Sequence, residues 1–139
     1  MNKYLRFGFV ASLVLLSVTW GQAQTIGDYR SINNGNWSNL TIWQRWNGTA
    51  WVTPSAGQGY PGQNSSPSLV LIQAFTNVTL DVTLANNLTG LTLDDFFALL
   101  STAGNRNLTV TGNLNIGFFS FFTFSGNGGK SARGWRMDQ

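Results

Sequence analysis

The chain has 139 residues, only 9% of them charged, and it contains no cysteine and no histidine. Those absences, with that of glutamate, remove disulfide scaffolds, Cys/His metal centres and His-dependent nucleophilic triads from consideration. The formal charge of +3 is a property of the two ends, Lys3 and Arg6 at one and Lys130, Arg133 and Arg136 at the other. The body has no basic patch, which argues against nucleic acid as a partner.

Residues 1–23 read as a secretory signal peptide. Lys3 and Arg6 form a basic start, 7–18 is an apolar run, and Gly21 and Ala23 supply small residues for cleavage before Gln24. The apolar run falls short of the ~20 residues that a membrane span requires. The mature chain is therefore expected to be secreted or at the cell surface, with no transmembrane span. About 116 residues then remain, enough for one modest domain. Glycine, asparagine, serine and threonine are abundant and helix formers scarce, which points to an all-β class.

Residues 24–60 form a tryptophan-rich N-terminal segment with Trp37, Trp43, Trp46, Trp51 and Tyr60 among polar neighbours. Asn47-Gly48 suits a two-residue type I′ turn, so 41–46 and 49–53 are expected to pair as a hairpin. That register sets Trp46 opposite Thr49 and Gln44 opposite Trp51. Trp46 and Trp51 become diagonal neighbours on one face, and Trp43 lies on the other, across from Val52. A Gly-, Pro- and Ser-rich stretch over 54–67 follows, the linking loop proper being 61–68.

From residue 69 the sequence repeats itself. Residues 69–78 (LVLIQAFTNV), 90–99 (GLTLDDFFAL) and 113–121 (NLNIGFFSF) align Val70 with Leu91 and Leu114, then Ile72 with Leu93 and Ile116, then Phe75 with Phe96 and Phe118. Gly117 stands where the second repeat has Asp94-Asp95. A period of roughly 20–25 residues built on short alternating strands predicts a short right-handed parallel β-solenoid over 69–125, with 24–60 as its cap. Its repeats would cover 69–90, 91–112 and 113 onward. The first strands are 69–72, 91–93 and 114–116, and the second 78–80, 97–100 and 119–122. Third strands are expected at 82–84 or around Leu88 in the first repeat and at 108–110 in the second. Phe75, Phe96 and Phe118 are expected to stack as an interior ladder. An antiparallel β-sandwich is the alternative fold, and a small outer-membrane barrel fits less well because its strands would be longer.

The third repeat is apolar on both faces through Phe118, Phe119, Phe121, Phe122 and Phe124, with only the glycine-rich, basic tail of 126–139 after it. Such an end needs a partner or more chain, and the expectation is a fragment of something longer.

Residues 35–43 (GNWSNLTIW), 70–72 (VLI), 77–81 (NVTLD) and 107–116 (NLTVTGNLNI) resemble the N-terminal regions of large secreted bacterial surface proteins, many of them exported by the type IX route. The resemblance spans about 35–117. It implies a signal peptide, a Gly-x-Trp…Trp segment and a β-solenoid with Asn/Thr-rich strands. It also implies surface exposure and contact with glycans or other surface proteins, and it supplies no catalytic residue.

Two readings of the tryptophans stay open. Trp46 and Trp51 could form an aromatic platform for a sugar ring, or the aromatic cluster could plug the N-terminal end of the repeats. The acids are Asp28, Asp81, Asp94, Asp95 and Asp138. They offer no convincing pair for glycoside hydrolysis and no calcium-loop spacing, so they read as turn residues. The expectation is a non-enzymatic chain without cofactor or metal, structural or adhesive in role. A carbohydrate-binding module is the alternative, and a polysaccharide-acting enzyme fragment comes third.

Overall fold

The computed structural model describes residues 23–124; the leader expected over 1–23, Ala23 apart, and the tail expected over 126–139 lie outside the described residues. Ten short strands are present among them: β1 (Tyr29–Ser31), β2 (Gly35–Asn36), β3 (Trp43–Trp46), β4 (Trp51–Val52), β5 (Val70–Ile72), β6 (Asn77–Leu80), β7 (Leu91–Leu93), β8 (Leu99–Thr102), β9 (Leu114–Ile116) and β10 (Phe121–Thr123). A 3-10 helix at Leu40–Ile42 precedes β3, its start capped by the Asn39 side chain accepting from the Thr41 N–H. The strands are short because apolar alternation lasts only a few residues before Asn, Asp or Gly interrupts it.

The strands form two open sheets, ordered β4-β3-β1-β5-β7-β9 and β10-β8-β6-β2. From β5 onward successive strands alternate between the sheets; β5 and β6 lie parallel beside β1 and β2, and each later strand lies parallel beside the strand two before it. Val70 pairs with Leu91 and Leu91 with Leu114, while Ile72 pairs with Leu93 and Leu93 with Ile116, as the repeat predicts. In the second sheet Val78, Leu100 and Phe122 form one column. This pairing is incompatible with an antiparallel sandwich over the repeats. Among the described residues the antiparallel strand pairs are β1 with β3 and β3 with β4.

Inward positions of both sheets meet in one core. Val70, Ile72, Val78, Leu80, Leu91, Leu93 and Leu100 are all fully buried. At its N-terminal end the core is filled by Tyr29, Trp37, Ile42 and Trp43. The indole of Trp43 donates to the Trp37 carbonyl (2.8 Å) and that of Trp37 to the Pro61 carbonyl (2.9 Å), so neither ring buries an unpaired N–H. Asp28, also buried, accepts from the Leu69 N–H (2.9 Å) and the Thr25 N–H (2.7 Å), fastening the opening segment to the first repeat.

No third strand forms at 82–84 or 108–110, and the alternative, Leu88, is joined to the second repeat at one residue pair only. A single parallel bridge, Leu88 to Val110, and main-chain bonds such as Leu84 N–H to the Asn107 carbonyl join that side instead. Asn86-Asn87 and Gly104-Asn105 leave too few consecutive extended residues for a ladder.

The interior phenylalanine ladder is overturned. Phe75, Phe96 and Phe118 are 71%, 51% and 69% exposed. Their backbones align as predicted: the Phe75 N–H donates to the Phe96 carbonyl (3.1 Å) and the Phe96 N–H to the Phe118 carbonyl (2.8 Å). The side chains point outward because the chain turns between sheets here. Phe75, Phe96, Phe97 and Phe119 all adopt φ near +60°, the left-handed region that L-residues enter at a cost. Phe97 and Phe119 therefore belong to the corners and not to the strands that follow. The outer row includes Phe97 stacked on Phe119 at 6.2 Å and 12°.

The inside of the same corner is small and hydroxylic. Ser31, Thr76, Ala98 and Ser120 are buried; Ser31 Oγ lies 2.7 Å from Thr76 Oγ1, and the Gln73 and Ala98 N–H groups donate to Ser31 and Ser120. The shorter corner of the third repeat is accommodated by Gly117, whose Cβ would stand 2.7 Å from the Asp94-Asp95 backbone. Asp95 completes that join by accepting from the Phe118 N–H at 2.7 Å.

Replacing Phe75 with Asn should change stability by less than about 1 kcal/mol, since an exposed ring is lost and Asn tolerates the left-handed backbone. Ile72→Ala should cost about 2–5 kcal/mol. Urea unfolding of both variants checks the contrast, and a large loss in Phe75→Asn would return that ring to the core. Burial also pushes the Tyr29 phenol above its ordinary value, against the opposing pull of Arg45. Its hydroxyl donates to the Gly59 carbonyl at 2.9 Å. The folded chain keeps this proton where the unfolded chain loses it, so stability should fall as pH rises through ~10. Tyr29→Phe should remove that part of the fall in an alkaline titration of stability.

Candidate functional site: the outer face of the hairpin

The β3–β4 hairpin differs from the sequence expectation in its turn. Trp46 pairs directly with Trp51 and Arg45 with Val52, which leaves a four-residue loop over 47–50. Asn47 supplies the reason: its side-chain oxygen accepts from the Thr49 N–H (2.9 Å) and the Ala50 N–H (2.8 Å), organising a wider turn with Gly48 at φ +101°. Trp46 and Trp51 still share a face, directly opposite each other and not diagonal. Trp43 is opposite Ser31 of β1, and Val52 faces Arg45.

Strand alternation then divides the tryptophans by role. Trp43 points inward and is fully buried with Trp37, so these two fill the end of the core. Trp46 and Trp51 lie on the outer face, each half-buried, their ring centroids 5.5 Å apart at an interplanar angle of 55°. The pair is a shallow V, not a flat platform. Trp37 and Trp43 thus fill the end of the core, and Trp46 and Trp51 are left on the outer face.

Two polar residues join the pair. Arg30 of β1 is opposite Gln44 of β3, and its Nε and Nη2 donate to Gln44 Oε1 at 2.9 and 2.6 Å. Its Cζ stands 4.6 Å from the centre of the Trp51 ring, a cation–π contact. Partial burial lowers the Arg30 pKa, but a guanidinium stays charged in any physiological medium. Three strands therefore converge on Arg30, Gln44, Trp46 and Trp51. Sequence reasoning reaches only the tryptophans. The alternation in Tyr29-Arg30-Ser31 marks Arg30 as outward, but nothing in the sequence pairs β1 with β3.

Such a face can stack the C–H patch of a pyranose ring on indole while guanidinium N–H groups donate to a hydroxyl or carboxylate. Because Arg30 covers one face of Trp51, a ligand there stacks on Trp46 or displaces the guanidinium. The acids are engaged elsewhere. Asp81 accepts from the Ser38 N–H (3.0 Å) and Ser38 Oγ (2.6 Å), and Asp94 accepts from the Asp95 N–H. A depression of about 200 Å³ along Ser68, Thr89, Gly90, Gly112, Asn113 and Asn115 is open and smaller than the ~300 Å³ of a typical ligand pocket.

The contact between Arg30 and Trp51 should register as a coupling energy of about 0.5–2 kcal/mol in a double-mutant cycle of Arg30→Met and Trp51→Leu, read by denaturant unfolding. Strict additivity would mean that the two side chains do not hold each other in solution.

Comparison of the chain with known protein families, with curated proteins and with solved structures finds no match.

Proposed function

We propose that this chain is a structural or adhesive β-solenoid segment, non-enzymatic, exported and displayed at or beyond the cell surface. The observation that carries the reading is the parallel register of Val70 with Leu91 and Leu114, offset by one sequence repeat at each step. A stack built this way is stiff along its axis and presents each corner of the repeat as a row on its surface, which suits a spacer. The apolar run of 7–18 and the resemblance to secreted bacterial surface proteins support export. Among the described residues no helix is long and apolar enough to cross a membrane. Protease accessibility of the chain on intact producing cells tests the placement: cleavage by externally added protease is expected, and complete protection until lysis would defeat it.

A carbohydrate-binding role is the second reading, favoured by the convergence of Arg30 and Gln44 on Trp46 and Trp51. The cation beside the indoles favours acidic sugars over neutral ones. A glycan array probed with the purified chain separates the readings. A pure spacer gives no saturable signal. A binding module gives a saturable one that weakens at least about tenfold in Trp46→Ala with Trp51→Ala, a loss of ~1.4 kcal/mol or more. Circular dichroism shows whether that variant keeps its fold.

A further inference from the structure

The two ends of the core are unlike. At the first, Trp37, Ile42 and Trp43 close it, and the outermost strands β4 and β2 have only two residues each. At the second, β9 and β10 are both last in their sheets, and each leaves its outer row of main-chain groups without a strand partner among the described residues. The apolar columns emerge there as well. Val70 and Leu91 are fully buried while Leu114 is half-buried; Ile72 and Leu93 are fully buried while Ile116 is 44% exposed. Edge strands are ordinarily blunted by charge, proline or a covering segment. Residues 107–124 contain no Lys, Arg, Asp, Glu or Pro.

We propose that this end is a self-association surface, and that its occupant is the same end of a second copy of this chain. A partner must offer two strand edges at once, at the separation of β9 from β10, with apolar side chains between them. The same end of another copy meets those conditions by construction. The closed first end does not, since its edge strands are shorter and its core is filled. An uncharged surface also meets itself without like-charge repulsion, whereas an acidic or basic partner would bury charge against Leu114, Ile116 and Phe122 with no counterion. The contact is therefore isologous and closes at a dimer. A two-fold axis that passes between Asn115 and its counterpart and between Phe122 and its counterpart, the central residues of β9 and β10, pairs each strand antiparallel with its copy. Asn115 then faces Asn115 of the second copy. Both Trp46–Trp51 faces end up at the far ends of the assembly, which makes any ligand contact there bivalent.

Asn115 is exposed, so substitution there spares the core. Sedimentation velocity of the purified full chain at micromolar concentration should give a dimer. Asn115→Lys and Asn115→Glu should each weaken dimerisation at least about tenfold by setting like charges opposite each other. An equimolar mixture of the two should restore it as a heterodimer, a rescue that misfolded variants would not give. The proposal is overturned by a monomeric unmodified chain, whether its β9 and β10 amides are protected from hydrogen exchange by residues 125–139 or exchange freely. Variants that still dimerise, or an open-ended series of larger species from head-to-tail stacking, overturn it equally.

Discussion

The structure depends on in-register parallel pairing between repeats. Once Val70 lies beside Leu91 and Leu91 beside Leu114, each inward side chain finds an inward side chain of similar size on either side. A slip of one residue would turn every one of those side chains to solvent and bring Leu71, Thr92 and Asn115 inside. The alternation of apolar and polar residues therefore fixes the register by burial, and the backbone hydrogen bonds follow it. Differences in repeat length have to be absorbed outside the strands. The missing residue of the third repeat falls at Gly117, where a residue without Cβ lies against the Asp94-Asp95 backbone.

The same constraint determines where polar groups are buried. A chain that leaves one sheet and enters the other must turn within a few residues, and main-chain N–H groups at the turn lose their strand partners. Ser31 and Ser120 accept from the Gln73 and Ala98 N–H groups at that point, the Thr76 hydroxyl donates to the Gln73 carbonyl, and Asp28 accepts from two N–H groups for the opening segment. Small inward residues leave no room for a large side chain there, so the phenylalanines of the corner go outward. The exposed aromatic row is thus a by-product of a tight corner, and its left-handed backbone is held in place by the hydrogen bonds between repeats.

The first strands of the three repeats and their register were legible because they rest on alternation and on spacing, both of which can be counted in a sequence. The direction of the corner phenylalanines was not. Hydropathy marks Phe75, Phe96 and Phe118 as core, but all three lie at the corner between sheets, Phe75 and Phe96 at positive φ, and no pattern of residues here announces that turn. The hairpin failed for a related reason: Asn47-Gly48 favours a two-residue loop in isolation, but the Asn47 side chain caps two N–H groups of a longer one. Of the candidate site, the aromatic half was legible and the polar half was not. Trp46 and Trp51 lie on one hairpin, whereas Arg30 reaches them only through the pairing of β1 with β3, a contact set by tertiary structure.

The N-terminal segment meets two demands with one run of aromatic residues. Closing the core requires bulk without unpaired polar groups, which Trp37 and Trp43 provide by donating both indole N–H groups to carbonyls. The outer side of the same hairpin is an exposed edge, and edges without protection recruit other strands. A β4 of two residues, its Trp51 held under Arg30 and against Trp46, offers little backbone for such pairing. The features that make this face a candidate for sugar contact are therefore also what keeps this end of the molecule from adding strands. Among the described residues the edges of β9 and β10 have neither device. Among the described residues the first edge is thus blunted and the last is not, and the proposed pairing of two copies through β9 and β10 rests on that difference.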